Sequence, residues 1–300
     1  MPSLVKKMIS RFNPPDIRKF YKIHREIVHF MVRSAVKVND GHFDKYVTAP
    51  DGHNIRVRIY PPRRIGSSTR LLVFFHGGGW VIDDIDRYHK VCRQLAEITG
   101  SYVLSVDYRL APEHKYPAGL DDCYEVTRQV FASAARYGIK KRNIILIGDS
   151  AGGNLALELC RNLDVVADML PVGMMLVYPV VDNRSDGASL AEFTDMPLWN
   201  SVNNAKMWRW YLDGQAYVSP VDTADKYAYL RHAFVETEEF DCLCEQGTDM
   251  YEALKKHIAD VTLLDNKGTF HGFDVNKNAD VVCRSFNARV DFLQKCFNCD

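Results

Sequence analysis

The sequence predicts an α/β protein built on a mostly parallel, eight-stranded sheet with helices on both faces. Six short apolar runs carry the prediction: Leu71–Phe75, Tyr102–Val106, Asn143–Ile147, Val172–Tyr178, Phe234–Thr237 and Val261–Leu264, with helical stretches between them. A strand buried on both faces reads as a continuous apolar run, whereas one with a wet face alternates. Ahead of the runs, Phe43–Ala49 and Asn54–Tyr60 do alternate, and Pro50-Asp51-Gly52 joins them as the turn of an antiparallel hairpin. The hairpin and the six runs together give the strand count.

The length and composition agree with this class and exclude others. A chain of 300 residues is within reach of one large α/β domain, so a single domain over residues 1–300 is expected. With 47% hydrophobic and 25% charged residues, disorder and fibrous structure are excluded. The 38 Lys+Arg balance 38 Asp+Glu, which argues against a nucleic acid or an acidic membrane held by bulk charge. No stretch approaches the roughly 18 apolar residues of a membrane span. The N-terminal MPSLVKKMISRFNPP has too short an apolar core for a signal peptide, so a cytoplasmic protein is expected. The eight cysteines read as reduced thiols in a chain too large to need stapling. Cys296 and Cys299 form a C-x-x-C with no second ligand pair, so a helix end is preferred there to a metal or redox site.

From Pro15 to Val36, apolar residues at Ile17, Phe20, Tyr21, Ile27, Val28 and Met31 recur at helical spacing and predict an amphipathic helix. Between Asp182 and Gly214 the strand–helix rhythm breaks. That segment contains Trp199, Trp208 and Trp210 and a helical stretch at Ser201–Leu212, and it is too long for a simple crossover. Residues 1–42 and 182–214 are therefore expected to form a lid over the carboxyl ends of the strands, where open α/β sheets place their ligands. An extra helix packed on the core is the alternative.

The chemistry concentrates in two strand ends. In the first, the apolar run Asn143–Ile147 leads directly into Gly148-Asp149-Ser150-Ala151-Gly152 and then into a helix, which is G-x-S-x-G in a strand–turn–helix context. A serine on such a strained turn is lifted clear of the sheet as a nucleophile, and the glycines avoid collision with strand and helix. In the second, Leu71–Phe75 ends in His76-Gly77-Gly78-Gly79-Trp80. Gly77, Gly78 and Gly79 let backbone N–H groups approach an anionic oxygen, and with the N–H of Ala151 they compose an oxyanion hole. A phosphate-binding loop is the rival, but neither GK[ST] nor G-x-G-x-x-G spacing follows.

These motifs, with Asp107-Tyr-Arg-Leu-Ala-Pro-Glu113-His114 and the following Tyr116-Pro117-Ala118, make the chain resemble an α/β-hydrolase of the hormone-sensitive-lipase-like carboxylesterase group from Phe43 onward. The resemblance implies the α/β-hydrolase fold and a structural role for Arg109 and Glu113 in bracing the oxyanion loop and nucleophile turn. The hydrolase order Ser, acid, His directs attention to Glu239-Phe-Asp241-Cys-Leu-Cys-Glu245-Gln-Gly247, which resembles the group's D-P-L-x-D-E-G and makes Asp241 the triad acid. Glu238, Glu239 and Glu245 are its rivals. Likewise Phe270-His271-Gly272-Phe273 stands where the group carries H-G-F, which makes His271 the base. The catalytic expectation is Ser150, His271 and Asp241, with Trp80, Asp149, Trp199 and Trp208 as substrate-pocket candidates.

Two departures from the group's pattern stand out. Asp83 replaces a usual glycine and is followed by Asp84 and Asp86, which reads either as a solvated acidic loop or as a set of carboxylates at the pocket mouth. Cys242 replaces the proline after the triad acid and is expected to loosen that turn. The resemblance implies a serine carboxylesterase for small, short-acyl esters. An amidase or deacetylase on the same triad and a non-catalytic ligand receptor are the alternatives. No cofactor or metal is called for. The partner expected is a small-molecule ester, with no nucleic acid and no membrane span, and self-association as a homodimer stays open.

Overall fold

The computed structural model describes residues 40–64, 69–163, 169–275 and 279–298. The expected helix at Pro15–Val36 and Cys299 lie outside the described residues. Eight strands, β1 (Phe43–Thr48), β2 (Asn54–Tyr60), β3 (Thr69–Phe75), β4 (Tyr102–Asp107), β5 (Ile139–Asp149), β6 (Gly173–Val177), β7 (His232–Glu238) and β8 (Asp260–Asn266), form one sheet in the order β1-β2-β4-β3-β5-β6-β7-β8. β2 pairs antiparallel with both β1 and β4, and the remaining neighbours are parallel. β5 starts at Ile139, where the sequence reading began at Asn143. Ile139 pairs with Thr69, but Lys140, Lys141 and Arg142 follow it before the register shifts, so no apolar run marked those residues.

The helices are α1 (His89–Thr99), α2 (Ala118–Ser133), α3 (Ala151–Leu163), the short α4 (Ala188–Glu192), α5 (Ser201–Leu212), α6 (Cys244–Leu254) and α7 (Asp280–Asn298). Alternation along each central strand assigns them to two layers. Val73, Phe75, Ile144, Leu146, Met174, Leu176 and Val235 face a core shared with α2, α3, α5 and α6. Leu72, Phe74, Ile145, Ile147, Met175, Val177 and Phe234 face the core of α1 and α7. Each such side chain is worth about 1.5–3 kcal/mol on burial, which is why these strands are apolar at successive positions and not at alternate ones. Among the described residues, no helix is long and apolar enough to cross a membrane.

Segment 182–214 packs inward. Met207, Trp208 and Tyr211 of α5 are buried, and Tyr211 stacks face to face on Trp80 with ring centroids 4.3 Å apart. Asn200 caps α5, its side chain accepting the Asn203 N–H at 2.9 Å.

One buried ion pair fixes α7 to the sheet beneath the candidate site. Arg289 donates from two nitrogens to the Glu236 carboxylate on β7 at 2.6 and 2.7 Å. Ser285 and Asn266 complete that carboxylate's bonds at 2.6 and 2.9 Å. Both charges are out of water, so removing one leaves the other uncompensated. Arg289→Met is expected to cost about 3–5 kcal/mol in urea unfolding. The double variant Arg289→Met/Glu236→Leu should recover most of it. A loss under about 1 kcal/mol for the single variant would contradict the pairing.

Candidate active site

β5 ends at Asp149 and α3 begins at Ala151, so Ser150 alone makes the turn. Its φ is 54°, in the left-handed region, which costs a non-glycine residue energy that the surroundings must repay. They do so through backbone bonds: the Ser150 N–H donates to Val177 O at 2.9 Å, and its carbonyl accepts from Val180 at 3.0 Å and Asn154 at 3.2 Å. The glycines permit the closeness. A Cβ on Gly148 would lie 2.1 Å from Gly152 O, and one on Gly152 would lie 2.0 Å from Phe75 O.

The turn delivers the serine to a histidine more than a hundred residues away. Ser150 Oγ is 2.9 Å from His271 Nε2, and His271 Nδ1 is 2.6 Å from Asp241 Oδ2. All three side chains are buried. His271 sits in the loop after β8, with its ring held between Tyr178 (centroids 4.7 Å) and Trp199 (5.7 Å). Asp241 follows β7, and its Oδ1 accepts the Leu243 N–H at 3.0 Å. That bond, with Cys244 N–H to Asp241 O at 3.1 Å and Ser189 Oγ to Cys242 O at 2.9 Å, fixes the turn. Cys242 is wholly buried and does not loosen it, contrary to expectation. The rival acids are occupied elsewhere: Glu239 accepts from Gly268, Glu245 from Ser189, and Glu238 from Asn266.

Opposite the serine, β3 runs out into the glycine loop. Gly78 and Gly79 have φ of 104° and 59°, and among the described residues the N–H groups of Gly78, Gly79 and Ala151 donate to no backbone carbonyl. The loop is braced by Tyr108, which stacks on His76 at 4.2 Å and donates its hydroxyl to His76 O at 2.7 Å, and by Ala111 N–H to Trp80 O at 2.9 Å. Arg109, expected in that role, instead clasps Asp122 and Asp51, with bonds of 2.7–3.1 Å. The residue that touches the loop is its neighbour Tyr108.

Residues 72–275 match the family described as the alpha/beta hydrolase fold. The chain belongs to that family. It is 33% identical over 227 residues to carboxylesterase NlhH of Mycobacterium tuberculosis, covering 73% of this chain and 71% of that one. It is 34% identical over 185 residues to the ethyl acetate hydrolase of Pseudomonas putida, covering 61% and 57%. The crystal structure of esterase LipW from Mycobacterium marinum superposes with a TM-score of 0.81 at 30% identity, covering 94% of this chain and 89% of that one.

The pocket candidates divide. Trp199 borders the site, since a Cβ on Gly79 would fall 2.8 Å from its ring. Trp80 and Trp208 pack on each other at 4.6 Å and are almost wholly buried. Asp149 does not join them. Strand alternation turns its side chain to the α1/α7 side, among Arg289, Asp274 and Glu236. The acidic loop also differs from the solvated reading: Asp83 and Asp86 are buried, with Asp83 against Gly78 and 3.2 Å from Arg87, and Asp86 paired to Arg58. Tyr88 and Tyr178 were missed. The Tyr88 hydroxyl lies against Gly77, and Tyr178 donates to Asp274 at 3.1 Å beside His271; no motif marks either residue.

Burial pushes the Asp149 carboxyl up to about 8, helped by Asp274 and Glu236 against the opposing pull of Arg289. In the folded protein it therefore holds a proton at neutral pH that the unfolded chain releases. Its contribution to stability is present in acid and is lost as pH rises from about 4 to about 8, at up to about 1.4 kcal/mol per pH unit. Asp149→Asn should flatten the dependence of urea stability on pH across that window. An unchanged slope would contradict the assignment.

Proposed function

We propose that the protein is a serine carboxylesterase that hydrolyses small, short-acyl esters through an acyl-enzyme. The observation that carries this reading is the unbroken hydrogen-bonded chain from Ser150 Oγ through His271 to Asp241, on the turn facing the glycine loop. The names of the relatives point the same way, and the amide-cleaving alternative is not favoured.

In this reading His271 Nε2 takes the Ser150 proton while Oγ attacks the ester carbonyl. Asp241, bonded to Nδ1–H, holds the productive tautomer and stabilises the imidazolium. The carbonyl oxygen becomes an oxyanion that accepts from the N–H groups of Gly78, Gly79 and Ala151. These donors are fixed in place before the charge develops. His271 then protonates the leaving alcohol, and the acyl group remains on Ser150. Water, deprotonated by His271, repeats the cycle and releases the acid. Trp199, Trp80 and Trp208 supply the apolar wall, and segment 182–214 serves as the lid that closes it. The described cysteines are free thiols, which favours a reducing, cytoplasmic setting.

Ser150→Ala should abolish turnover of p-nitrophenyl acetate with the fold retained, and Asp241→Asn should lower kcat by about 10⁴-fold through the wrong tautomer. Residual activity above about a tenth of wild type in Ser150→Ala would move the nucleophile elsewhere.

A closed wall also limits chain length. Each methylene of the acyl chain gains about 0.8 kcal/mol until the cavity fills, after which overpacking costs energy. Activity across p-nitrophenyl esters should peak from acetyl to hexanoyl, and Trp199→Ala should move the optimum to longer chains. A profile unmoved by Trp199→Ala would remove that residue from the pocket.

A further inference from the structure

We propose that Asp40, His42 and His89 form a binding site for one divalent cation of the zinc class, where the chain entering β1 meets the first turn of α1. This site shares no residue with the proposed hydrolytic centre.

The geometry gathers three ligand atoms from two distant stretches of chain. Asp40 and His42 are two residues apart, and a bend at Gly41, whose φ is 89°, brings them together, with the His42 N–H donating to Asp40 Oδ1 at 3.2 Å. His89 opens α1 and is buried. One ligand atom from each residue lies within 4.8 Å of the others. The Asp40 carboxylate stands between the imidazoles: Oδ2 is 2.9 Å from His89 Nε2, and the other oxygen contacts His42 Nδ1. The rings themselves meet edge to face at 4.9 Å. A tetrahedral zinc ion with bonds near 2.0–2.1 Å holds its ligand atoms about 3.3 Å apart, so the three groups need shift little to receive it. Two imidazole nitrogens and one carboxylate oxygen are the donor set of a borderline ion and leave a fourth position for water.

Two further observations point to a cation. The first is a residue that orients a ligand from behind. Tyr60 is fully buried, and its hydroxyl is 3.3 Å from His89 Nδ1, so the far nitrogen of the ring has a partner while Nε2 faces the carboxylate. The second is charge. The nearby Arg56 and Arg58 are matched by Asp44, Asp86 and Asp107. The guanidinium charge of Arg58, which acts on His89, is thus offset by Asp44 and Asp86.

Without the ion, each imidazole gives an N–H to Asp40. On binding, each ring moves its proton to the outward nitrogen, so that His89 Nδ1–H donates to Tyr60, and the inward lone pairs take the metal. No proton is gained or lost when both rings are neutral, and acid that protonates them competes with the ion. The site would tie the segment preceding β1 to α1, next to Tyr88, whose hydroxyl rests on Gly77 of the glycine loop.

The test uses the full-length protein, freed of metal by a chelator and titrated with zinc ions alone, then with cobalt(II) alone. One zinc per chain should bind with a Kd of about 1 μM or tighter. At a hundredfold excess over Kd the unfolding midpoint should rise by about 5 °C. Cobalt should give visible bands of a tetrahedral nitrogen–oxygen site without thiolate charge transfer. His42→Ala and His89→Ala should each weaken zinc binding by about 100-fold or more, and Tyr60→Phe by about 10-fold. His42 is at the edge of the cluster, so its variant remains informative if His89→Ala does not fold. No stoichiometric binding at 100-fold higher zinc, or binding that survives His42→Ala and carries a thiolate band, would overturn the site. The carboxylate would then be a hydrogen-bonded clasp alone, and the cysteines the zinc ligands in the second case.

Discussion

Ser150 can hold a φ of 54° only because two backbones pass where side chains would otherwise be. Gly148 and Gly152 leave room for the α3 backbone to lie on the ends of β3 and β5, and a methyl group at either position would press to about 2 Å from a carbonyl oxygen. No repacking of side chains relieves such a clash, because both partners are main chain. The rest of the site depends on this turn. It points Oγ toward His271, and it sets Ala151 at the start of α3.

The histidine and aspartate reach that serine because a parallel sheet brings the carboxyl ends of β5, β7 and β8 to one side. Each loop leaving those ends is then locked from behind. The Asp241 turn is closed by its own carboxylate and by Ser189, and His271 is held between Tyr178 and Trp199. Below them, Arg289 and Glu236 join α7 to β7 in the interior. Rigid support of this kind lets three side chains keep hydrogen-bonding geometry without a substrate. The buried Asp149 carboxyl beside them is held protonated by the same exclusion of water that strengthens the electrostatics of the site.

The sheet was legible because strands covered on both faces must be apolar at every position, and Ile144 to Ile147 or Met174 to Val177 could scarcely be anything else. The start of β5 was not legible, since Lys140 to Arg142 are charged where the other central strands are apolar, and Ile139 before them pairs with Thr69 across a shift of register. Ser150, Asp241 and His271 could be picked out in advance because the turn, the chain order and the flanking motifs each restrict residue type. What packs around them could not. Arg109 sits within a recognisable segment, yet it is the adjacent Tyr108 that reaches the loop. Asp83 and Asp86 looked like solvated charges; Arg87 stands only four residues from Asp83, but Arg58, the partner of Asp86, comes from β2 and becomes a neighbour only once the chain is folded. Asp40, His42 and His89 show the same limit, for nothing short of the tertiary fold brings α1 against the entry to β1.

The central claim is that this turn makes Ser150 a nucleophile, and covalent labelling tests it most directly. Full-length protein treated with a stoichiometric organophosphonate ester, digested and mapped by tandem mass spectrometry should carry a single adduct on Ser150, formed in step with loss of esterase activity and absent from His271→Ala. An adduct on another serine or on a cysteine, or labelling of Ser150 that proceeds equally well without His271, would contradict it.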